Sequence, residues 1–288
     1  MESKMEAQTG KLYLCATPIG NLSDITYRCV DVLKSVDLIA AEDTRRTLGL
    51  LNHLGIEKPL TSYFEHNRRE KGEYLISELK KGKNIALVSD AGTPAISDPG
   101  EDLVILCAEN GVDVVPVPGA VAGINALIVS GISTGRFAFE GFLTVNKRGR
   151  RELLEKLKNE ERTMIFYEAP HKLLYTLRDM NEAFGNRRIA LCRELTKVHE
   201  EIFRTTLNEA VIHYEKKAPR GEFVLIIEGR KPEEIKEEQK LFWTSMTEED
   251  HVKLYTDRGM DEKEAIRAAA KERGISKREL YNLLKKHF

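Results

Sequence analysis

The sequence lacks several features that would assign it at once to a class of protein. Only 4 of its 288 residues are cysteines, at positions 15, 29, 107 and 192, too far apart for a C-x-x-C metal or redox site. This spacing predicts reduced thiols in an intracellular protein, and no ligand cluster that would hold a metal is apparent. Neither G-x-G-x-x-G nor a Walker sequence occurs, which argues against dinucleotide enzymes, kinases and NTPases.

No charge of one sign dominates, and no apolar run is long and unbroken. The 45 Lys and Arg residues against 46 Asp and Glu residues give a net charge of −1. A uniformly basic nucleic-acid coat is therefore excluded, but a local basic patch is not. The most apolar stretch, residues 114–132, is interrupted by prolines and glycines, and the polar N-terminus has no apolar signal core. We therefore expect no membrane span, no export signal and a cytoplasmic location.

Short apolar runs alternate with helix-like segments through the first 118 residues. This alternation predicts a parallel sheet covered by helices on both faces. In such sheets, ligands bind beyond the carboxyl ends of the strands. The loops that follow the predicted strands are TPIGN (17–21), AEDTR (41–45), YFEHN (63–67), SDAGTPAISDPG (89–100) and PVPGA (116–120).

The rest of the chain predicts a second α/β domain and a helical appendage. Strands near residues 190 and 202 follow each other without a helix, which indicates a mixed sheet. We predict a disordered tail over 1–10 and α/β domains over 11–118 and 119–230. A linker and small helical appendage follow over 231–288, with 231–240 as a charged linker. The appendage has helix–turn–helix spacing, which favours RNA or protein docking over reading of DNA.

The loop SDAGTPAISDPG carries the densest chemical signal. Asp90 follows a buried strand and could accept hydrogen bonds from a ribose or an amino group, and Gly92 would let the backbone approach a ligand closely. Asp98 is interpreted as the cap of a helix that starts at Pro99.

Three titratable residues are candidates for acid–base work at the same sheet edge. Glu42 and Asp43 lie beside Arg45, although Asp43 could instead cap the next helix. His66 titrates near neutrality when unperturbed and joins them as a possible base.

Two basic patches could neutralise phosphates, with solvated loops as the alternative. They comprise Arg68 and Arg69 in one segment, and Lys147, Arg148, Arg150 and Arg151 in another.

These motifs, taken in order, resemble one family. ATPIGNLSDIT, AEDTR, EHN, VSDAGTPAISDPG, PVPGA, FYEAPHK, RELTKVHEE and PRGEFVLIIEG, spread over about residues 11–230, are similar to motifs of the ribosomal small-subunit RNA cytidine 2′-O-methyltransferases. These enzymes belong to the tetrapyrrole methylase superfamily. The resemblance implies two α/β domains with S-adenosylmethionine in the cleft between them, and a homodimer. It also implies methylation of a cytidine ribose in the decoding region of 16S rRNA, with that RNA or the small ribosomal subunit as partner.

The resemblance also implies which residues form the site. The cofactor-binding residues would be Pro18, Asp90, Ala91, Gly92, Thr93, Val121, Ala122, Tyr167, Glu168, Ala169, Pro219 and Gly221. A ribose hydroxyl is a poor nucleophile at pH 7, so a base must take its proton or a cation must stabilise the oxyanion. Glu42, Asp43 or His66 would be the base, and Arg45 or Lys197 would orient the RNA phosphate or alkoxide. The two basic patches would hold the RNA, and no metal is required.

Two other functions remain open at this stage. One is a methylase of a tetrapyrrole or of a modified protein side chain, although TPIGN is poorer in glycine than the superfamily's first loop. The other is a non-catalytic RNA-binding or ribosome-assembly factor that keeps the fold.

Overall fold

The computed structural model describes residues 9–285, apart from the side chains of 236, 238–242 and 244. The chain forms two compact units. Unit 1 runs to residue 155 and includes 163–228, whereas unit 2 comprises 156–162 and the chain from 229. Unit 1 contains both sheets, so the domain boundary near 118/119 stays a prediction.

The first sheet is entirely parallel, as its apolar runs predict. Its strands have the order β3-β2-β4-β1-β5. They are β1 (Leu12–Cys15), β2 (Leu38–Ala41), β3 (Leu60–Ser62), β4 (Ile85–Val88) and β5 (Val114–Val117). The helices along this part of the chain are α1 (Tyr27–Ser35), α2 (Thr44–His53), α3 (Arg68–Lys80) and α4 (Gly100–Glu109).

The central strand β4 shows why these runs are continuously apolar. Ile85 and Leu87 pack in one hydrophobic core, and Ala86 and Val88 pack in the other. Because successive side chains of a strand point to opposite faces, a sheet that is buried on both faces needs an apolar residue at every position. This packing leaves the polar strand ends free to form a site at one edge.

The second sheet is mixed, also as predicted. Its order is β6-β7-β10-β8-β9, with β6 and β7 parallel and the other pairs antiparallel. Its strands are β6 (Phe137–Phe142), β7 (Thr163–Glu168), β8 (Arg188–Arg193), β9 (Glu201–Thr206) and β10 (Phe223–Ile227). The helices are α5 (Ala122–Val129), α6 (Lys147–Leu157), α7 (Pro170–Phe184) and α8 (Leu207–Lys216).

Unit 2 is helical and has a small core of its own. Its helices are α9 (Pro232–Ser245), α10 (Glu248–Thr256), α11 (Glu262–Arg273) and α12 (Lys277–Lys285). Ala265, Ile266, Ala269 and Leu280 are buried together. Gly274 ends α11 with φ +69°, a left-handed conformation that favours glycine.

Near the ends of the chain, the structure differs from two predictions. The segment 231–240, predicted as a charged linker, is helical from Pro232, because Pro232 in the first turn and the acidic residues after it favour the start of α9. Of the predicted tail, residues 1–8 lie outside the described part, but Gly10 is buried and donates its N–H to the Leu79 carbonyl at 2.8 Å. Residues 286–288 of the appendage also lie outside it.

All four cysteines are buried free thiols. Across residues 9–285, none of the helices combines the length and the apolar character needed to cross a bilayer.

Candidate functional site

Loops that follow strands of both sheets surround a cavity of about 530 Å³ within unit 1, which we call the cleft. Small-molecule sites typically have volumes of about 300–1,000 Å³. One part of its wall is apolar and the rest is strongly acidic. The apolar residues include Ile19, Ala122, Phe142, Leu195 and Val224, the carboxylates are those of Glu42, Asp90, Asp98, Glu168, Glu194 and Glu222, and the basic residues are Arg46 and Lys197.

Asp90, directly after β4, connects two segments at the cleft wall. Its Oδ1 accepts a hydrogen bond from the Asp43 backbone N–H at 3.0 Å. Its Oδ2 lies 3.0 Å from Nη1 of Arg46, which sits in the first turn of α2. The Asp90 carboxylate is thus held in orientation by one backbone donor and one exposed side chain.

The turn after Asp90 is held by side-chain bonds to the backbone. Ala95 and Ser97 have φ of +66° and +64°, a conformation that is costly for residues other than glycine. Asp98 Oδ1 accepts the N–H groups of Ala95 at 2.9 Å and Gly100 at 2.8 Å. Asp98 therefore holds both the turn and the start of α4, which begins at Gly100, one residue after the predicted position.

Glu42 and Asp43 are adjacent in sequence but have different surroundings. The Glu42 carboxylate lines the cleft, where partial burial and the nearby charges of Asp90 and Asp98 raise its pKa. The Asp43 carboxylate accepts the Arg45 backbone N–H at 2.9 Å and caps α2. Hydrogen bonds from the Arg45 backbone and side chain lower the pKa of Asp43. The alternative prediction for Asp43, that it caps the next helix, is therefore confirmed, and the structure separates it from Glu42.

The other residues predicted beside them lie outside the cleft lining. The Arg45 side chain is 91% exposed and pairs with Asp43 at 3.4 Å. His66 is exposed, and its ring makes an edge contact with Phe64. Neither lines the cleft, so the structure does not bring His66 together with Glu42 there.

Lys197 lies on the side of the cleft formed by the second sheet. Its Nζ is 3.0 Å from Glu194 Oε1 and 3.0 Å from Glu222 Oε2. Burial lowers the pKa of Lys197, but the hydrogen bonds and charges of these two carboxylates outweigh it and raise the pKa above its usual value. Lys197 is thus held as a cation at the wall.

The turn before β10, which packs against Glu194 in the loop of Lys197, requires glycine at position 221. Gly221 has φ +80°, and a Cβ there would lie 2.5 Å from Cγ of Glu194. This close approach lets the Glu222 backbone N–H donate to Glu194 Oε1 at 2.9 Å.

The segment after β7 supplies a third part of the wall. Tyr167 accepts a hydrogen bond at its hydroxyl from the Gly123 N–H at 3.0 Å, which joins β7 to the first turn of α5. Glu168 is buried and accepts from the Ala169 N–H at 2.8 Å and the Thr176 hydroxyl at 2.6 Å. Helix α7 begins at Pro170, a residue that suits the first turn because it has no backbone N–H to leave unpaired.

The predicted cofactor-binding residues fall into two groups. Those that line the cleft are Asp90, Ala91, Ala122, Tyr167, Glu168 and Ala169. Gly92 exchanges two backbone hydrogen bonds with Thr17, and the Thr93 hydroxyl donates to the Ala120 carbonyl. Of the remaining four residues, Val121 directly precedes α5 and Gly221 packs on Glu194. Pro18 and Pro219 line two further cavities, one each.

The cavity that contains Pro18 adjoins the cleft, and we call it the side cavity. It has a volume of about 280 Å³ and lies between the loop after β1 and helix α2. It shares Arg46, Ser89 and Asp90 with the cleft, and its other lining residues are Thr17, Pro18, Gly20, Leu22, Thr47, Gly49 and Leu50.

The predicted RNA-binding arginines are mostly engaged within unit 1. Arg150 is only 11% exposed and donates to Asp179 from Nε at 2.8 Å and from Nη2 at 2.6 Å. Arg151 also pairs with Asp179, and Arg148 pairs with Glu152. Arg68 pairs with Asp102. Lys147 and Arg69 are exposed and form no ion pair within residues 9–285.

Several residues at the cleft were not singled out from the sequence. Arg46 directly follows AEDTR, and Glu194 lies in the motif RELTKVHEE, so both were next to a recognised signal. Phe142 and Val224 lie in plain strand patterns that carry no such signal.

Comparison with known proteins matches the chain to the family described as Tetrapyrrole (Corrin/Porphyrin) Methylases over residues 11–211. Curated proteins named ribosomal RNA small subunit methyltransferase I are similar along most of their length. The Halalkalibacterium halodurans protein is 50% identical over 95% of this chain and 94% of its own. The Bacillus subtilis protein is 50% identical over 96% of this chain and 94% of its own.

Solved structures share the fold at low sequence identity. Uroporphyrin-III C-methyltransferase from Thermus thermophilus, complexed with S-adenyl homocysteine, has a TM-score of 0.55 at 17% identity, covering 76% of this chain and 97% of its own. Diphthine synthase has a TM-score of 0.60 at 11% identity, covering 77% and 91%. At these identities the likeness shows the fold alone.

Proposed function

Because the chain belongs to the tetrapyrrole methylase family, and within it to the small-subunit ribosomal RNA methyltransferases I, we propose that it methylates the ribose 2′-hydroxyl of a cytidine in the decoding region of 16S rRNA. The enzyme is an S-adenosylmethionine-dependent methyltransferase. The observation that carries the proposal is the cleft, where six of the residues expected to bind the cofactor converge with Glu42.

The cleft fits S-adenosylmethionine in size, polarity and charge. Its apolar wall, which includes Ile19, Ala122 and Val224, suits an aromatic base and an alkyl chain. Six carboxylates against two basic side chains give a field that favours a cationic ligand such as a sulfonium. Asp90 is placed to accept hydrogen bonds from an amino group or from ribose hydroxyls.

S-adenosylmethionine supplies a methyl group that is already activated by its sulfonium, so the protein must align the acceptor and take up the hydroxyl proton. We propose that the Glu42 carboxylate is the base that takes up the proton of the acceptor hydroxyl. Glu42 lines the cleft, and its raised pKa makes it a stronger base than an ordinary glutamate. Asp43 is the weaker candidate, since its lone pairs accept from the α2 terminus and its pKa is lowered.

Lys197 would act on the acceptor oxygen. Its ammonium is the one cation on the second-sheet side of the cleft, among the described lining residues. A fixed positive charge stabilises an oxygen that becomes negative as its proton leaves. Arg45, exposed in the first turn of α2, would contact the RNA backbone together with Lys147 and Arg69. We also propose that the protein is a homodimer and that it acts in the cytoplasm, with small ribosomal subunits as its substrate.

The test is transfer of a tritiated methyl group to small ribosomal subunits that lack this modification. We expect label in 2′-O-methylcytidine after hydrolysis of the RNA to nucleosides. Asp90→Ala should abolish cofactor binding and labelling, whereas Asp113→Ala, which removes an exposed carboxylate paired with Lys11, serves as the control.

Two results would contradict the proposal in different ways. Label in a cytosine base, in protein or in an added tetrapyrrole would keep the methyltransferase and change its acceptor. Binding of the subunit with no binding of S-adenosylmethionine would favour the non-catalytic assembly factor.

A further inference from the structure

Arg46 lies where the cleft and the side cavity meet. Its side chain lines both cavities, is 66% exposed, and reaches Asp90 through Nη1 at 3.0 Å. The preceding residue, Arg45, lines neither cavity and pairs with Asp43. Two consecutive arginines of one helix turn therefore have different surroundings, and only Arg46 can act on both sides.

The two cavities differ in charge. Among the described residues, six carboxylates line the cleft, whereas Asp90 alone of the acidic residues lines the side cavity. Arg46 is the one basic residue in the described lining of the side cavity, and the other lining residues are apolar, small or hydroxyl-bearing. If Asp90 is engaged by a ligand in the cleft, the guanidinium of Arg46 is the one uncompensated charge among the described residues that line the side cavity. Such a pocket suits a nucleotide with its phosphate, since a guanidinium binds phosphate oxygens in a bidentate manner.

We propose that the side cavity receives the acceptor nucleotide and that Arg46 is its positioning residue, exchanging Asp90 for an RNA phosphate when the cleft is filled. This inference rests on the proposed function. A cationic cofactor in the cleft competes for the Asp90 carboxylate and repels the Arg46 guanidinium, because both carry positive charge. Filling of the cleft thus frees Arg46 for the RNA, and the two ligands bind with positive coupling.

The same exchange acts on Glu42. The charge of Arg46 lowers the pKa of Glu42 in the free protein, opposing the effects of burial and of Asp90. When the guanidinium is neutralised by a phosphate, this opposing effect weakens and Glu42 becomes more basic. With the cofactor bound, Glu42 is then a stronger base when RNA is in place than when it is absent, which links proton uptake to a correctly seated acceptor.

The test measures binding of small ribosomal subunits by the full chain, with and without saturating sinefungin, an unreactive analogue that carries a protonated amine where S-adenosylmethionine carries its sulfonium. Arg46→Gln should weaken subunit binding about tenfold in the presence of sinefungin, the loss typical of one charged hydrogen bond. It should also lower the slope of log affinity against log salt by about 0.7–0.9, the value for one phosphate contact. Affinity for sinefungin itself should not fall, because the Asp90 carboxylate no longer has Arg46 as a competing partner. Arg46→Lys, which keeps the charge, should restore most of the slope.

The matched control is Arg178→Gln, which removes an exposed arginine of α7 that pairs with Glu215 at 2.8 Å and lines neither cavity. It should leave affinity and slope unchanged. A wild-type protein that methylates subunits, together with an Arg46→Gln variant of unchanged affinity and salt slope, would overturn the role of Arg46. A wild-type protein that neither binds nor methylates subunits would instead overturn the proposed function. Equal subunit affinity with and without sinefungin in the wild type would overturn the exchange.

Discussion

Replacement of Arg150 by glutamine separates two roles that the basic segment 146–151 could have. Arg150 places two of its guanidinium nitrogens on Asp179, which is itself only 6% exposed, and Nη1 donates to the Val145 carbonyl at 3.2 Å. We expect Arg150→Gln to destabilise unit 1 and to leave the electrostatic part of RNA binding almost unchanged. A residue that contacts phosphate would do the opposite.

The size of the effect follows from what remains around Asp179. Removing one partner of a buried ion pair costs about 3–5 kcal/mol, because the other charge is left without compensation. Arg151 Nε stays 3.0 Å from Asp179 Oδ1, so the lower end applies and we expect about 3 kcal/mol. With a urea dependence of about 3 kcal/mol per molar, the unfolding midpoint should fall by about 1 M.

Urea unfolding followed by circular dichroism measures this loss, and the single tryptophan gives an internal reference. Trp243 lies in unit 2, so its fluorescence should be little affected by Arg150→Gln. Lys147→Gln is the matched control: it should keep the midpoint and lower the salt slope of RNA binding by about 0.7–0.9. An Arg150→Gln protein with an unchanged midpoint and a reduced salt slope would refute the structural role and restore Arg150 to the RNA contact.

Three further outcomes are expected. Glu42→Gln should reduce single-turnover methylation by about 10²–10⁴-fold, with cofactor affinity nearly unchanged. In the wild type, the rate should fall as pH drops through the raised pKa of Glu42, because the base must be deprotonated. A variant that retains the full rate would exclude Glu42 as the base. Gly221→Ala should lower the melting temperature and weaken cofactor binding, because its Cβ would overlap Glu194; calorimetry showing neither change would mean that the loop relaxes freely. Burial lowers the pKa of His251, so the unfolded state binds more protons than the folded state below about pH 6.5. Unit 2 should therefore lose stability as pH falls from about 6.5 towards that lowered pKa. Urea unfolding curves from the fluorescence of Trp243, whose ring stacks on His251 at 4.1 Å, would measure this loss, and a His251→Gln protein should lack the pH dependence.

Much of the fold could be predicted from sequence because its signals are local. Each strand of the first sheet is a run of apolar residues between helix-like segments, and burial on both faces requires this pattern. The order of the strands in the sheet could not be predicted in this way. The pairing of β1 with both β4 and β5 depends on contacts between residues that are about 70–100 positions apart, and nothing in a short window encodes it.

The site was predictable at the level of loops but not of side chains. Neighbouring residues at a strand end point in opposite directions, so Glu42 enters the cleft whereas Asp43 turns to the α2 terminus. A motif such as AEDTR therefore identifies the place, while the division of roles within it depends on the backbone. His66 illustrates the limit of this reasoning, since following a strand of the same sheet did not place it at the cleft.

Backbone strain identifies the cleft independently of any motif. Within residues 9–285, the non-glycine residues with positive φ are Ala95, Ser97, Glu194 and Thr196. They lie in two loops, one after β4 of the first sheet and one after β8 of the second, and each loop contributes to the cleft lining. Each such residue costs about 1–2 kcal/mol, so both loops persist only because other bonds fix them.

Those bonds come from carboxylates that lie just beyond the strained positions. Asp98 accepts from Ala95, and Glu200 accepts from the Thr196 N–H at 2.6 Å. Thr196 in turn accepts at its hydroxyl from the Asn21 N–H at 3.1 Å, which ties the loop after β8 to the loop after β1. A fold selected for stability alone would place glycine at such positions. Strained non-glycine residues in loops on both sides of one cavity are typical of a site whose backbone is fixed by its surroundings.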